Sequence, residues 1–230
     1  QPHDVLGRVI APYLPADEKL LSMMKKSYEI LKDHPINQER KKRGLNPANC
    51  CWFWGAGTKP HLDSFQEKNG VKGVMISAVD LLKGIAVGAG MDVACVEGAN
   101  AGLNTNYEGK WKAAFHALEE GVDFAYIHVE APDEMGHQGS AQRKVKAVEY
   151  LDRRIIEPLT DAMDAVHMNY RLLVMPDHPT PVRVRTHTSD CVPYLLYDSE
   201  DLKEEKWNYN EREARESRNL ILEGHTIIDK

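Results

Sequence analysis

Six short apolar runs recur along the chain, at 50–54, 71–77, 92–96, 124–129, 171–175 and 192–197. Each has a length and residue mix that suits a strand buried on both faces. Between them the period changes to that of a helix, at 78–87, 107–120 and 141–163. In the last of these, Val145, Val148, Ile155 and Leu159 line up as one apolar stripe. Strand–helix alternation predicts an α/β fold, a mostly parallel sheet with helices on both faces. The opening of the chain reads differently. Residues 1–15 are Pro-rich and turn-like. Leu20, Leu21, Met24, Tyr28 and Leu31 predict a helix within 17–34. "NQERKKRGLNPAN" is basic, polar and loop-like. The change of pattern puts a boundary between 1–48 and an α/β core at 49–230. The charged tail after Ser199 predicts a surface helix.

In such folds ligands gather beyond the carboxyl ends of the strands. The run 124–129 opens into "VEAPDEMGHQGS", where Asp133 and His137 stand four residues apart, so one turn of chain can aim both at one point. The run 171–175 opens into "PDHPTP", with Asp177 and His178 adjacent. "RTHTSDCVP" then places His187 before the last run. Carboxylate oxygens and imidazole nitrogens together are the donors a divalent cation takes. Five candidates are enough for most of a two-metal site. Each has a plainer reading: a polar loop, a helix cap at Asp177, a turn at His178, a surface His187. Their joint placement after neighbouring strands favours the metal. His3, His34, His61, His116, His167 and His225 show no such placement. His128, inside an apolar run, reads as a core residue or one that supports ligands.

The formal charge of −6 argues against general affinity for nucleic acid or anionic membrane, which needs a cationic face. No apolar run approaches the roughly 20 residues of a membrane span. The first residue is Gln and no signal peptide is evident, so the chain is expected to start inside a longer protein. The four Cys, with Cys50 and Cys51 adjacent, form neither a disulfide framework nor a zinc pattern. Cys95 and Cys191 read as buried thiols, and a reducing cytoplasm is the expected setting.

The ordered set "HVEAPDEMGHQG", "MPDHPTP" and "THTSDCVP" resembles the metal-binding segments of the alkaline phosphatase superfamily. More closely, it is similar to the archaeal-type cofactor-independent phosphoglycerate mutases. The resemblance extends through "NPANCCWFWGAGTKP", "KGVMISAVDLLKGIA", "NTNYEGKW" and "PHDVLG", from residue 1 to about residue 197. It implies an alkaline phosphatase-like core, incomplete at its N-terminus, with residues 1–48 as the end of an inserted substrate domain and its return linker. It implies two metals. Asp133, His137 and His187 would hold one, and Asp177 and His178 part of the other. The family completes the second position with an Asp and a nucleophilic Ser from an N-terminal segment without counterpart here. Ser77 and Ser189 read as caps or loop hydroxyls. The fragment alone is therefore expected to be inactive.

The chemistry implied is interconversion of 3- and 2-phosphoglycerate, a glycolytic step, through a phosphoserine. A metal lowers the pKa of the serine, and a second neutralises phosphoryl charge. Mixed Asp and His donors suit Mn2+ first, with Zn2+ or Mg2+ as alternatives. The small phosphorylated acid needs an anion clamp. Arg40, whose fork suits bidentate anions, is the first candidate and Lys110 the second; solvated surface charge is the plain reading of both. Two other readings stay open: a related phosphotransferase such as a homoserine kinase analogue, and a non-catalytic domain that keeps a metal site.

Overall fold

Asp17 stands where the helical period begins, and its carboxylate accepts the Leu20 amide at 2.9 Å, a helix cap. A computed structural model describes residues 2–5, 7–55, 57–201 and 207–229. Within it the cap starts α1 (Glu18–Leu31). α2 (Pro35–Lys42) follows, in the basic stretch expected to be a loop. Its start is signalled by the His34 imidazole, which accepts the Ile36 amide, and by Pro35 in the first turn. Arg40, Lys41 and Lys42 occupy the last turn, where the helix dipole favours cations. No apolar stripe announces α2, because the side chain it buries is Asn37. That amide donates to the carbonyls of Leu31 and Ala48 and accepts the Ala48 amide. The run 50–54 forms no strand. The Cys51 amide instead donates to Ser27 Oγ at 2.9 Å, and Cys50 Sγ donates to the carbonyl of Met24.

The chain divides into two compact units at Pro60 and His61, later than the change of pattern near residue 48. The second unit holds α3 (Phe65–Asn69), β1 (Gly73–Ile76), α4 (Asp80–Gly88), β2 (Asp92–Val93), α5 (Tyr107–Glu119) and β3 (Phe124–Ile127). The three strands pair in parallel in the order β2-β1-β3, with Val74 opposite Asp92 and Ala125. β1 is buried along its whole length, which is why it reads as an unbroken apolar run. α6 (Ala131–His137), α7 (Ala141–Leu151), a π turn (Asp152–Ile156) and α8 (Glu157–Ala165) follow. β4 (Arg171–Val174) and β5 (Leu195–Asp198) then make a separate antiparallel pair. A parallel return needs a crossover, usually a helix, whereas an antiparallel one does not. Residues 175–194 contain no helix, and β5 comes back alongside β4 in the opposite sense.

The expected stripe in 141–163 is broken. Ile155 and Leu159 are buried, but Val145 and Val148 are exposed. The wider π turn, which follows Val148 and includes Ile155, advances fewer degrees per residue and rotates the helix face. Ala147 is the residue α7 buries. Cys95 and Cys191 are exposed rather than buried, as are Cys50 and Cys51. Of the charged tail, 202–206 lie outside the described residues, as do Leu6 and Ala56 of the resembling segments. α9 (Glu211–Ser217) is capped by Asn210. No helix among the described residues is long and apolar enough to cross a membrane.

Candidate metal centre

Glu130 and Pro132 begin α6, a helix of 7 residues with Asp133 in its first turn and His137 in its last. The i, i+4 spacing stacks the two on one face, and His137 Nε2 lies 3.2 Å from Asp133 Oδ2. The long loop after β4 brings His187 to the same point. Its Nε2 is 3.4 Å from Asp133 Oδ1 and 3.2 Å from His137 Nε2. One ligand atom from each of the three lies within 4.8 Å of the others. Atoms that each offer a lone pair repel at such separations unless a proton or cation sits among them. One carboxylate with two imidazoles fits a divalent transition ion.

The surrounding contacts aim these groups. His137 Nδ1 lies 3.0 Å from the carbonyl oxygen of Arg185. A carbonyl only accepts, so Nδ1 carries the hydrogen and Nε2 is left to face the centre. Arg185 turns its carbonyl this way from a left-handed backbone, with φ at 60°, a conformation uncommon for a side-chain-bearing residue. Thr180 is buried, and its hydroxyl contacts both Asp133 Oδ1 and His178 Nδ1, the latter at 3.3 Å. The Thr180 carbonyl accepts Lys144 Nζ at 2.7 Å. Burial pushes the Lys144 ammonium below its ordinary pKa, and Asp133 works against that push.

The second pair is adjacent. The His178 ring stacks on His187, with centroids 3.8 Å apart. Asp177 Oδ1 accepts the His178 amide at 3.0 Å, and Asp177 Oδ2 is 3.4 Å from His178 Nε2. Asp133, His137, His178 and His187 thus form one patch, with Asp177 at its margin.

Of the two clamp candidates, Arg40 belongs to the first unit and Lys110 to the second. Arg40 Nε donates to the Asn46 carbonyl at 2.7 Å, closing the chain after α2 in the first unit. Lys110 is fully buried. Its Nζ donates to the His128 carbonyl at 2.6 Å and faces Glu130 Oε2 at 3.5 Å. An ammonium held this way is not presented to a ligand, so the clamp reading of Lys110 gives way. Sequence reasoning passed over Thr180, Arg185 and Lys144 and gave Glu130 no role. Thr180, between two prolines beside His178, carried the one local signal.

Residues 19–225 match the model of a family described as the Metalloenzyme superfamily. The chain belongs to that superfamily. Among its relatives, a 2,3-bisphosphoglycerate-independent phosphoglycerate mutase of Methanothrix thermoacetophila is 40% identical over 99% of this chain and 58% of its own length. A probable mutase of the same name from Geobacter sulfurreducens is 43% identical over the same shares. The mutase of Methanosarcina mazei is 47% identical over 85% of this chain and 50% of its own length. A solved protein of Pyrococcus horikoshii superposes with a TM-score of 0.71 at 34% identity, covering 88% of this chain and 53% of that one. The chain therefore spans about half to three fifths of the length of these relatives. The likeness to archaeal mutases read from the three motifs holds across nearly the whole chain.

Proposed function

We propose that this chain is the metal-holding part of a 2,3-bisphosphoglycerate-independent phosphoglycerate mutase. Such an enzyme interconverts 3- and 2-phosphoglycerate through a phosphoserine. Its nucleophile is assigned to the portion of the relatives' length outside the match. The observation that carries the reading is the convergence of Asp133, His137 and His187, with His178 stacked beside them. It occurs in a chain 40–47% identical to proteins of that name.

In this reading Asp133, His137 and His187 hold one divalent ion, and Asp177 and His178 help to hold a second. Manganese ranks first, with zinc or magnesium as alternatives. Ions held there would lower the pKa of a nucleophilic hydroxyl and offset charge on the phosphoryl oxygens. The chain's own part is orientation. Arg185 fixes which nitrogen His137 presents, and Thr180 holds the Asp133 carboxylate beside His178. Arg40 is proposed as an anion clamp for the substrate, and residues 1–48 as the end of a substrate domain. A cytoplasmic, glycolytic setting belongs to the same proposal.

The test is the full-length protein with 3-phosphoglycerate, set beside homoserine plus ATP, with and without Mn2+. Mutase turnover that needs Mn2+ is expected. Asp177→Ala and His178→Ala should each lower it about 100-fold or more, since losing activation of the nucleophile costs several kcal/mol and about 1.4 kcal/mol is tenfold in rate. Undiminished turnover in Asp177→Ala refutes its metal role. Turnover with homoserine and ATP alone replaces the substrate.

A further inference from the structure

A second cluster of ionisable groups lies between α5 and the turn from β3 into α6. Lys110 has no solvent exposure, and Glu130 has 8%. Glu130 Oε2 faces the Lys110 ammonium. Glu130 Oε1 is buried without a hydrogen bond, 3.4 Å from His128 Nδ1. That same nitrogen lies 3.2 Å from Ser77 Oγ, which accepts the Val79 amide at the start of α4. Ser77, His128 and Glu130 could suggest a nucleophile, base and orienting acid. The geometry rejects that, because serine and glutamate meet one ring nitrogen, whereas a relay needs both.

Burying two opposite charges is a costly way to fill a core, and an apolar pair of similar volume is often as stable. The location supplies a reason for them. Residues 128–130 are the whole connection between β3 and α6, and α6 carries Asp133 and His137. α6 has no side-chain cap at its start. Lys110 reaches across from α5 to the carbonyl at the start of this connection and the carboxylate at its end. α5 is itself anchored in the core through Tyr107 and Ala114.

We infer that Lys110 and Glu130 are positioning residues for the metal centre: their buried pair sets the angle at which α6 leaves the sheet, and so where Asp133 and His137 point. The inference rests on the reading of Asp133, His137 and His187 as metal ligands. Groups hydrogen-bonded to metal ligands typically change metal affinity about 10- to 100-fold when lost; Lys110 and Glu130 act through the helix that carries the ligands, so the lower end of that range is expected.

The experiment titrates Mn2+ alone into the full-length protein by calorimetry, with thermal unfolding measured alongside. His187→Ala comes first. The binding event it abolishes is the one to follow, and if it abolishes none, the ligand reading itself falls. Lys110→Met leaves Glu130 buried without its cation and tests the pair at the cost of stability. Lys110→Met with Glu130→Leu replaces the pair by apolar side chains and guards against a variant that fails to fold. The double variant should unfold cooperatively near the parent temperature while binding Mn2+ about tenfold or more weakly at the followed site. Glu130→Gln, close in shape, should weaken it in the same sense. A folded double variant with the parent's Mn2+ affinity overturns the inference, because the pair then only fills space.

Discussion

Gly136 carries no side chain because the Thr180 carbonyl occupies the place where a Cβ would go. The obstacle is backbone, not the tip of a side chain, so it cannot swing aside. Gly136→Ala is expected to destabilise by about 1–3 kcal/mol, the usual penalty for overpacking, read as a lower urea midpoint at unchanged slope. It should also weaken Mn2+ binding, since relief of the clash moves α6 and the two proposed ligands on it. At this scale the sequence was legible where chemistry repeats. Asp133, His137, Asp177 and His178 stood out because each closely follows an apolar run, and His187 because it stands just before the next. It was illegible where a residue's role depends on what lies opposite it. Lys110 looks the same in a sequence whether it faces solvent or Glu130, and only packing makes that choice. Thr180 likewise offers a hydroxyl whose two partners sit 47 and 2 residues away.

The helices show the same division. α1, α4 and α5 were predicted by their period and lie close to the expected ranges. α2 was missed because its stabilising contacts are polar, and the stripe along 141–163 misled because a π turn rotates it. That turn has a structural use. Arg154, within it, makes two hydrogen bonds to Glu108 of α5, at 2.6 and 2.7 Å, and lies over the rings of Tyr107 and Tyr150. The hydrogen bonds from Arg154 hold the Glu108 carboxyl below its ordinary value of 4.5. A carboxylate with a depressed folded-state pKa contributes stability above its unfolded pKa, and loses it as pH falls through the folded one. The link should therefore be present above about pH 4.5 and fade below it. Glu108 is about half exposed, so screening limits the effect to roughly 1 kcal/mol or less. Glu108→Gln should flatten the acid side of a plot of melting temperature against pH, and leave metal binding unchanged.

For the whole molecule, the strand–helix alternation was enough to predict a parallel sheet, and β1, β2 and β3 supply it. The antiparallel pairing of β4 with β5 was not legible, because strand sense depends on the path of residues 175–194 and not on their apolar content. That loop carries Asp177, His178 and His187, so the least regular stretch of the core brings three of the five candidate ligands. Ligands that meet only in the folded chain make metal uptake a source of folding stability. At a free Mn2+ concentration 100 times the dissociation constant, the gain is about 2.7 kcal/mol for one site. Adding Mn2+ should raise the melting temperature by several degrees, and a chelator should reverse it. In His187→Ala the shift should be largely lost, while the melting temperature without metal stays close to that of the parent, since His187 is nearly half exposed.

The Thr180 hydroxyl serves two partners at once. A carboxylate only accepts, so the hydroxyl hydrogen goes to Asp133, and its oxygen is left to accept from His178 Nδ1. With the hydrogen on Nδ1, His178 keeps the lone pair of Nε2 for a cation, as His137 does. One hydroxyl thus orients a proposed ligand of each position. Thr180→Val should weaken uptake at both, read as two weaker events in a calorimetric Mn2+ titration.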